Sequence, residues 1–196
     1  QEFVSNVSHE LKTPITSMKV LADSLISQED VPIELYKEFM TDIAEEIERE
    51  NKIITDLLSL VKMDKTSANL NIENRNLNEL IELILKRLRP IAKQRNIDVL
   101  YESAREVFAE IDEVKLTLAI SNLVENAIKY NNEYGYVKVS LDADHQFATI
   151  MVEDNGIGIP QEAQEHIFER FYRVDKSHSR EIGGTGLGLA IARNAI

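Results

Sequence analysis

Apolar residues recur with heptad spacing along the first third of the chain and fall into short alternating runs beyond about residue 66, so the hydrophobic period divides the chain in two. In the first part Val4, Ser8, Leu11, Ile15, Met18, Ala22 and Leu25 take the core positions of one helix. Tyr36, Met40, Ile43, Ile47, Glu50, Ile54, Leu57 and Val61 take those of a second, and only Ser8 and Glu50 interrupt the stripe. Gln28 to Pro32 supplies the turn between them, with Pro32 suited to a first helical turn. Val7, Leu21, Phe39 and Leu58 widen the stripe beyond a two-helix seam, which predicts two hairpins pairing as a dimeric four-helix bundle. A plain coiled-coil spacer has the same periodicity. Thr13-Pro14 is a possible helix start, but the stripe runs through it from Val4 to Leu25. The prediction is one continuous helix loosened at Pro14, whose ring lacks the amide that would bond the Glu10 carbonyl.

The polar stretch Lys65 to Asn71 reads as a linker, which places a first domain at 1–66 and a second at 67–196. Leu70 and Ile72 alternate as a short strand, and Asn76-Leu77-Asn78-Glu79 is a capped helix start with Leu80, Ile81, Ile84, Leu88 and Ile91 on one face. Ile97 to Tyr101 and Val107 to Ala109 read as strands, and Asp112 to about Tyr130 as a largely buried helix. Val137, Val139 and Leu141 alternate, Asp142 to Gln146 is turn-like, and Phe147 to Val152 is a further strand. The predicted class is an all-α hairpin followed by an α+β two-layer sandwich, with helices over one face of a mixed sheet.

Composition narrows the partners. With 22 Lys and Arg against 34 Asp and Glu the net charge is -12, which repels phosphate backbones and argues against nucleic acid. The absence of cysteine excludes disulfides, thiolate metal ligands and thiol catalysis. The four histidines show no metal-ligand spacing, and no apolar run reaches the roughly 20 residues of a membrane span.

Four segments carry candidate chemistry. His9 sits in Ser8-His9-Glu10-Leu11-Lys12-Thr13-Pro14; alone, such a histidine is most often a solvated surface residue, although neutral imidazole is a good nucleophile. Asn122, Asn126, Lys129 and Tyr130 share one helix face, with amide oxygens suited to Mg²⁺ and a lysine suited to phosphate, or else form an ordinary solvated face. Asp154-Asn155-Gly156-Ile157-Gly158-Ile159 follows a strand, where a carboxylate can accept from an exocyclic amine and glycines allow close backbone approach. Gly183-Gly184-Thr185-Gly186-Leu187-Gly188 runs into a helical pattern whose amides can cradle phosphates. It is neither a P-loop, having no Gly-Lys-Ser/Thr, nor a dinucleotide fingerprint, following a polar loop rather than a strand.

Taken in order with Phe168-Glu169-Arg170-Phe171-Tyr172-Arg173, these motifs resemble the bacterial sensor histidine kinases of two-component signalling over nearly the whole chain. The resemblance implies a dimerisation and phosphotransfer hairpin followed by an ATP-binding domain shared with gyrase and the mismatch-repair ATPases. It implies that His9 is phosphorylated, that Glu10 acts as base by holding the imidazole proton on the ring nitrogen that does not attack, and that Thr13 positions water for dephosphorylating a partner. Asn126 would ligate Mg²⁺ with support from Asn122, and Lys129 and Tyr130 would lie near the phosphates. Asp154 would receive the adenine amino group in a pocket shaped by Gly156, Gly158 and Ile159. Arg170 and Arg173 would lie near the γ-phosphate, Gly184, Thr185, Gly186, Leu187 and Gly188 would contact the nucleotide, and Phe171 to Gly186 would form a lid. Gyrase-like relatives place a glutamate, a base for water, where this chain has Asn122, so transfer to His9 is favoured over hydrolysis.

The implied cofactors are ATP and Mg²⁺, and the implied partners are a second copy of the chain and the receiver domain of a response regulator. The implied setting is the cytoplasmic portion of a membrane-anchored bacterial sensor. Family domains continue past the last glycine-rich helix with another pair of strands, so the chain is expected to lack them after Ile196. Two other activities are compatible with the same residues: a phosphatase of the partner that depends on Thr13, and a coiled-coil module that binds ATP without transferring phosphate.

Overall fold

The computed structural model describes residues 2–28, 30–66, 70–174 and 184–196. Parts of the expected linker (67–69) and of the expected lid (175–183, with Gly183) lie outside the described residues, as does the side chain of Val4. The chain forms two compact units, Gln1–Leu58 and Ser59–Ile196, and their division falls within the second helix.

Helices α1 (Glu2–Ile26) and α2 (Ile33–Thr66) account for the first region, and α1 runs through Pro14 without a break. The apolar stripe resolves into two columns at seven-residue spacing. Leu11, Met18 and Leu25 on α1 are half-buried, and Ile53 and Leu60 on α2 are buried. The expected seam residues Ile15, Met40, Ile47, Ile54 and Val61 belong to the other column and are 42–54% exposed. The face covered within one chain is thus one residue away from the expected seam on α2, because the stripe is wide enough to present two faces.

In the second unit Ile72–Asn76 is β1, Leu77–Gln94 α3, Asp98–Ser103 β2, Phe108–Asp112 β3, Glu113–Lys129 α4, Tyr136–Ala143 β4 and Ala148–Asp154 β5. A 3₁₀ turn at Gln161–Ala163 and helix α5, Gly188–Ala195, follow. The β2, β4 and β5 strands make one mixed sheet, with β4 central, parallel to β2 and antiparallel to β5; β1 and β3 pair separately.

Local chemistry sets the helix starts. The Asn76 side chain accepts from the amides of Asn78 and Glu79, and Asp112 accepts from Lys115 at the start of α4. The Lys115 and Asn71 amides that donate to it hold the Asp112 carboxyl below its usual range. The core lies between helices and sheet: Leu77, Ile81, Ile84, Leu85 and Leu88 of α3 and Val124 and Ile128 of α4 join Val137, Val139 and Leu141 of β4. Ile91 corrects the expected face of α3, being 45% exposed, because the stripe steps four residues from Leu88 to the buried Ala92.

Candidate functional site

In the helical unit, His9 is exposed on α1, as the phosphoacceptor reading requires, and Thr13 lies one turn on along the same face. The Thr13 hydroxyl donates to the His9 carbonyl at 3.0 Å, while its oxygen keeps lone pairs for another donor. Pro14 removes the amide that would bond the carbonyl of Glu10. Proline thus removes one helix bond in the turn after His9, while the Thr13 hydroxyl adds a bond to the neighbouring carbonyl.

In the second unit, Asn122, Asn126 and Lys129 lie along the last two turns of α4, and Tyr130 caps it. The Asn122 side-chain amide donates to the Leu118 carbonyl at 2.9 Å, which turns its oxygen away from its own helix. That oxygen faces Gly188: a Cβ there would lie 2.8 Å from Asn122 Oδ1 and 3.8 Å from Asn126 Nδ2. Absence of a side chain therefore lets the start of α5 lie against the asparagine face, and the motifs expected at the phosphates adjoin. Two carboxamides on one helix face can offer hard, uncharged oxygens, which fit Mg²⁺ better than a softer metal.

Asp154 ends β5, and its carboxylate accepts from the Gly156 amide at 2.9 Å. Gly156 lies directly against the Tyr130 carbonyl, and the next amide, of Ile157, donates to that carbonyl at 3.1 Å. The loop after β5 is thereby seated on the end of α4. Gly158 takes a φ of +70° with open space around it, and Ile159 is 44% exposed beside it.

The glycine-rich segment closes on the Phe168–Arg173 motif. Gly186, at φ +71°, accepts from the Phe171 amide at 2.8 Å, and a Cβ on Gly186 would lie 2.9 Å from Phe171 Cα. Thr185 is buried and its hydroxyl accepts from the Leu187 amide at 3.3 Å, while Leu187 is fully buried and Gly184 buried. Both ends of the expected lid are therefore pinned to each other. Arg170 and Arg173 are half-buried on the same motif, and the Arg193 guanidinium stands 5.7 Å over the Phe168 ring. His166 bonds Glu169 at 2.7 Å, and that carboxylate raises the imidazole pKa.

The motif reading did not single out Asn131, Asn132, Gly135 or Asn155 as a unit. The structure brings them together between α4, β4 and β5. Asn131, Asn132 and Gly135 lie between a helix and a strand and Asn155 follows another strand, and the pairing of distant asparagines leaves no periodic signal.

Residues 1–66 match the model of the His Kinase A phospho-acceptor domain, and residues 111–196 match that of the histidine kinase-, DNA gyrase B- and HSP90-like ATPases. The sensor histidine kinase WalK of Bacillus subtilis is 37% identical over 199 residues, covering all of this chain and 32% of the relative. The chain thus spans about a third of the length of that curated relative. The solved catalytic domain of the histidine kinase ThkA is 31% identical with a TM-score of 0.58, covering 65% of this chain and 80% of that one. ThkA in complex with the response regulator TrrA is 27% identical with a TM-score of 0.80, covering 100% of this chain and 54% of the other.

Proposed function

Because this chain belongs to the sensor histidine kinases, we propose that it is the ATP-dependent core that phosphorylates its own His9 and passes the group to an aspartate of a response regulator. The observation that supports the proposal is the junction of Asn122 and Asn126 with Gly188, where two side-chain amides lie against a glycine-rich helix start. Domains are assigned as 1–66 for phosphotransfer and 67–196 for ATP binding, although the compact units divide earlier, within α2.

In this reading ATP lies with its adenine at Asp154, Gly156, Gly158 and Ile159 and its phosphates along Asn126, Lys129, Tyr130 and Gly184 to Gly188. Asn126, supported by Asn122, holds Mg²⁺, which when bound neutralises phosphate charge. A His9 ring nitrogen attacks the γ-phosphorus, forming an N–P bond as the bond to the β-bridging oxygen breaks and ADP leaves. Glu10 keeps the proton on the other ring nitrogen, and Arg170 and Arg173 offset charge on the transferring group. Little else is asked of the protein, since phosphoryl transfer depends chiefly on positioning and charge. The asparagine at position 122 provides no base for water, which favours His9 as acceptor. Dephosphorylation of the regulator is assigned to water held by Thr13, whose oxygen retains acceptor capacity.

A second copy of the chain is the proposed partner of the helical unit. The uncovered column Met40, Ile47, Ile54 and Val61, with Ile15 on α1, is apolar, at seven-residue spacing, and 42–54% exposed in one chain. No helix among the described residues is long and apolar enough to cross a membrane. Membrane anchoring of the whole protein is proposed from its likeness to sensor kinases alone.

Incubation with γ-labelled ATP and Mg²⁺ tests the activity. An acid-labile, alkali-stable label is expected on the wild-type chain, and none on His9→Gln or Asn126→Ala. A label that persists in His9→Gln would overturn the assignment, and ATP binding with no label on the wild type would favour the non-transferring module.

A further inference from the structure

We propose that Asn131, Asn132 and Asn155 are positioning residues that set the separation between the adenine end and the phosphate end of the nucleotide cleft. The inference rests on the nucleotide site proposed above. That site has two halves on different elements: Asn126 and Lys129 at the end of α4 with the capping Tyr130, and Asp154 at the end of β5 with Gly156 just after it. The end of α4 meets the loop after β5 through the Ile157 amide bond to the Tyr130 carbonyl, and polar side chains make the rest of the junction.

The Asn131 side-chain amide donates to the Ala127 carbonyl in the last turn of α4 at 3.1 Å and to the Tyr136 carbonyl at the start of β4 at 2.9 Å. Its oxygen accepts from the Asn132 amide at 2.9 Å, so the side chain spans helix, turn and strand. Asn155 completes the connection from the other side. Its side-chain oxygen accepts from the Tyr136 amide at 2.7 Å, and its carbonyl accepts from the Asn132 side chain at 2.8 Å. Tyr136 is thus held through its carbonyl by an asparagine following α4 and through its amide by an asparagine following β5.

Gly135 allows the three segments to converge: a Cβ there would lie 2.7 Å from Asn155 Oδ1 and 2.9 Å from the Asn132 carbonyl. The Ile157 amide then bonds the Tyr130 carbonyl, one residue from Asn131. Asp154 immediately precedes Asn155, and Lys129 lies two residues before Asn131. A change in the asparagine clamp therefore moves one half of the cleft against the other without entering either half.

This role separates two ligands. Adenosine occupies the adenine end alone and is indifferent to the spacing, whereas ATP spans both ends. Affinities of Mg²⁺-ATP and of adenosine are measured by calorimetry for the wild-type chain, Asn155→Ala and Asn132→Ala. The second variant removes only an exposed side-chain bond and leaves the half-buried Asn131 bonds intact, so it keeps the test open if Asn155→Ala fails to fold. The ratio of the ATP to the adenosine dissociation constant is expected to rise at least threefold in each folded variant. A ratio within threefold of wild type overturns the role, whether both affinities fall together or neither moves. Failure of the wild-type chain to bind ATP would instead refute the nucleotide site on which the inference rests.

Discussion

Replacing Gly186 by alanine tests whether the base of the lid is held by backbone contact. Gly186 lies at φ +71°, and a Cβ there would stand 2.9 Å from both Cα and the carbonyl carbon of Phe171, atoms no rotamer change can move aside. Gly158 is the natural control, because its φ is +70° and nothing lies within 4 Å of the same added atom. Both substitutions incur the left-handed penalty of about 1–2 kcal/mol for an L side chain, partly offset by roughly 0.4–1 kcal/mol from a stiffer unfolded chain. Only Gly186→Ala adds overpacking of about 1–3 kcal/mol and strains the Phe171 amide bond to the Gly186 carbonyl, with a net value near 1 kcal/mol. Gly158→Ala is thus expected to lose roughly 1 kcal/mol or less, and Gly186→Ala about 2–4 kcal/mol more. Urea denaturation without nucleotide, followed by a probe in the second unit, measures the difference. Equal stabilities for the two variants would refute the contact between Gly186 and Phe171 as a structural constraint.

Asp154→Ala is expected to weaken ATP about tenfold or more, since a hydrogen bond to a charged group contributes roughly 1.5–3 kcal/mol; unchanged affinity by calorimetry would remove the adenine role. Asp112→Ala removes the cap of α4 and is expected to lower stability by about 0.5–2 kcal/mol. Because backbone amides hold the Asp112 carboxyl below its ordinary value of 3.8, its contribution is present above that pH and lost as pH falls through the folded value, so acid unfolding of the variant should show a shallower dependence there. Glu50 behaves in the opposite sense. Burial raises its pKa above 4.5, and its Oε2 is buried with no hydrogen-bond partner among the described residues, so stability falls as pH rises through that raised range. Glu50→Gln should melt higher than wild type at neutral pH and lose the advantage in acid; a lower melting temperature at neutral pH would contradict the burial argument.

Much of the architecture was legible because local patterns carry it. The Asn76 to Glu79 box announced the start of α3, and alternation of Val137, Val139 and Leu141 marked the buried face of β4. Strand order was not legible, since β2 pairs in parallel with β4 across an intervening strand and helix, and no residue pattern records that register. The α2 face was displaced because a wide stripe offers two columns, of which only one is covered within a single chain. At the site, the motifs themselves were visible as glycine and asparagine spacings. Their junctions were not: Gly188 against Asn122, Gly186 against Phe171, and Asn132 against Asn155 each join residues at least 15 positions apart. Contacts of this kind arise from the fold and become evident only once a missing Cβ or a shared carbonyl is located.

The most direct measurement is to map the phosphoryl group itself. After incubation with Mg²⁺ and ATP, the chain is digested at alkaline pH and sequenced by tandem mass spectrometry under conditions that preserve phosphohistidine. The mechanism predicts phosphate on His9 in the wild-type chain and no modified peptide in Asn126→Ala. Phosphate on any residue other than His9, or unmodified protein under conditions where ATP binds, would contradict it.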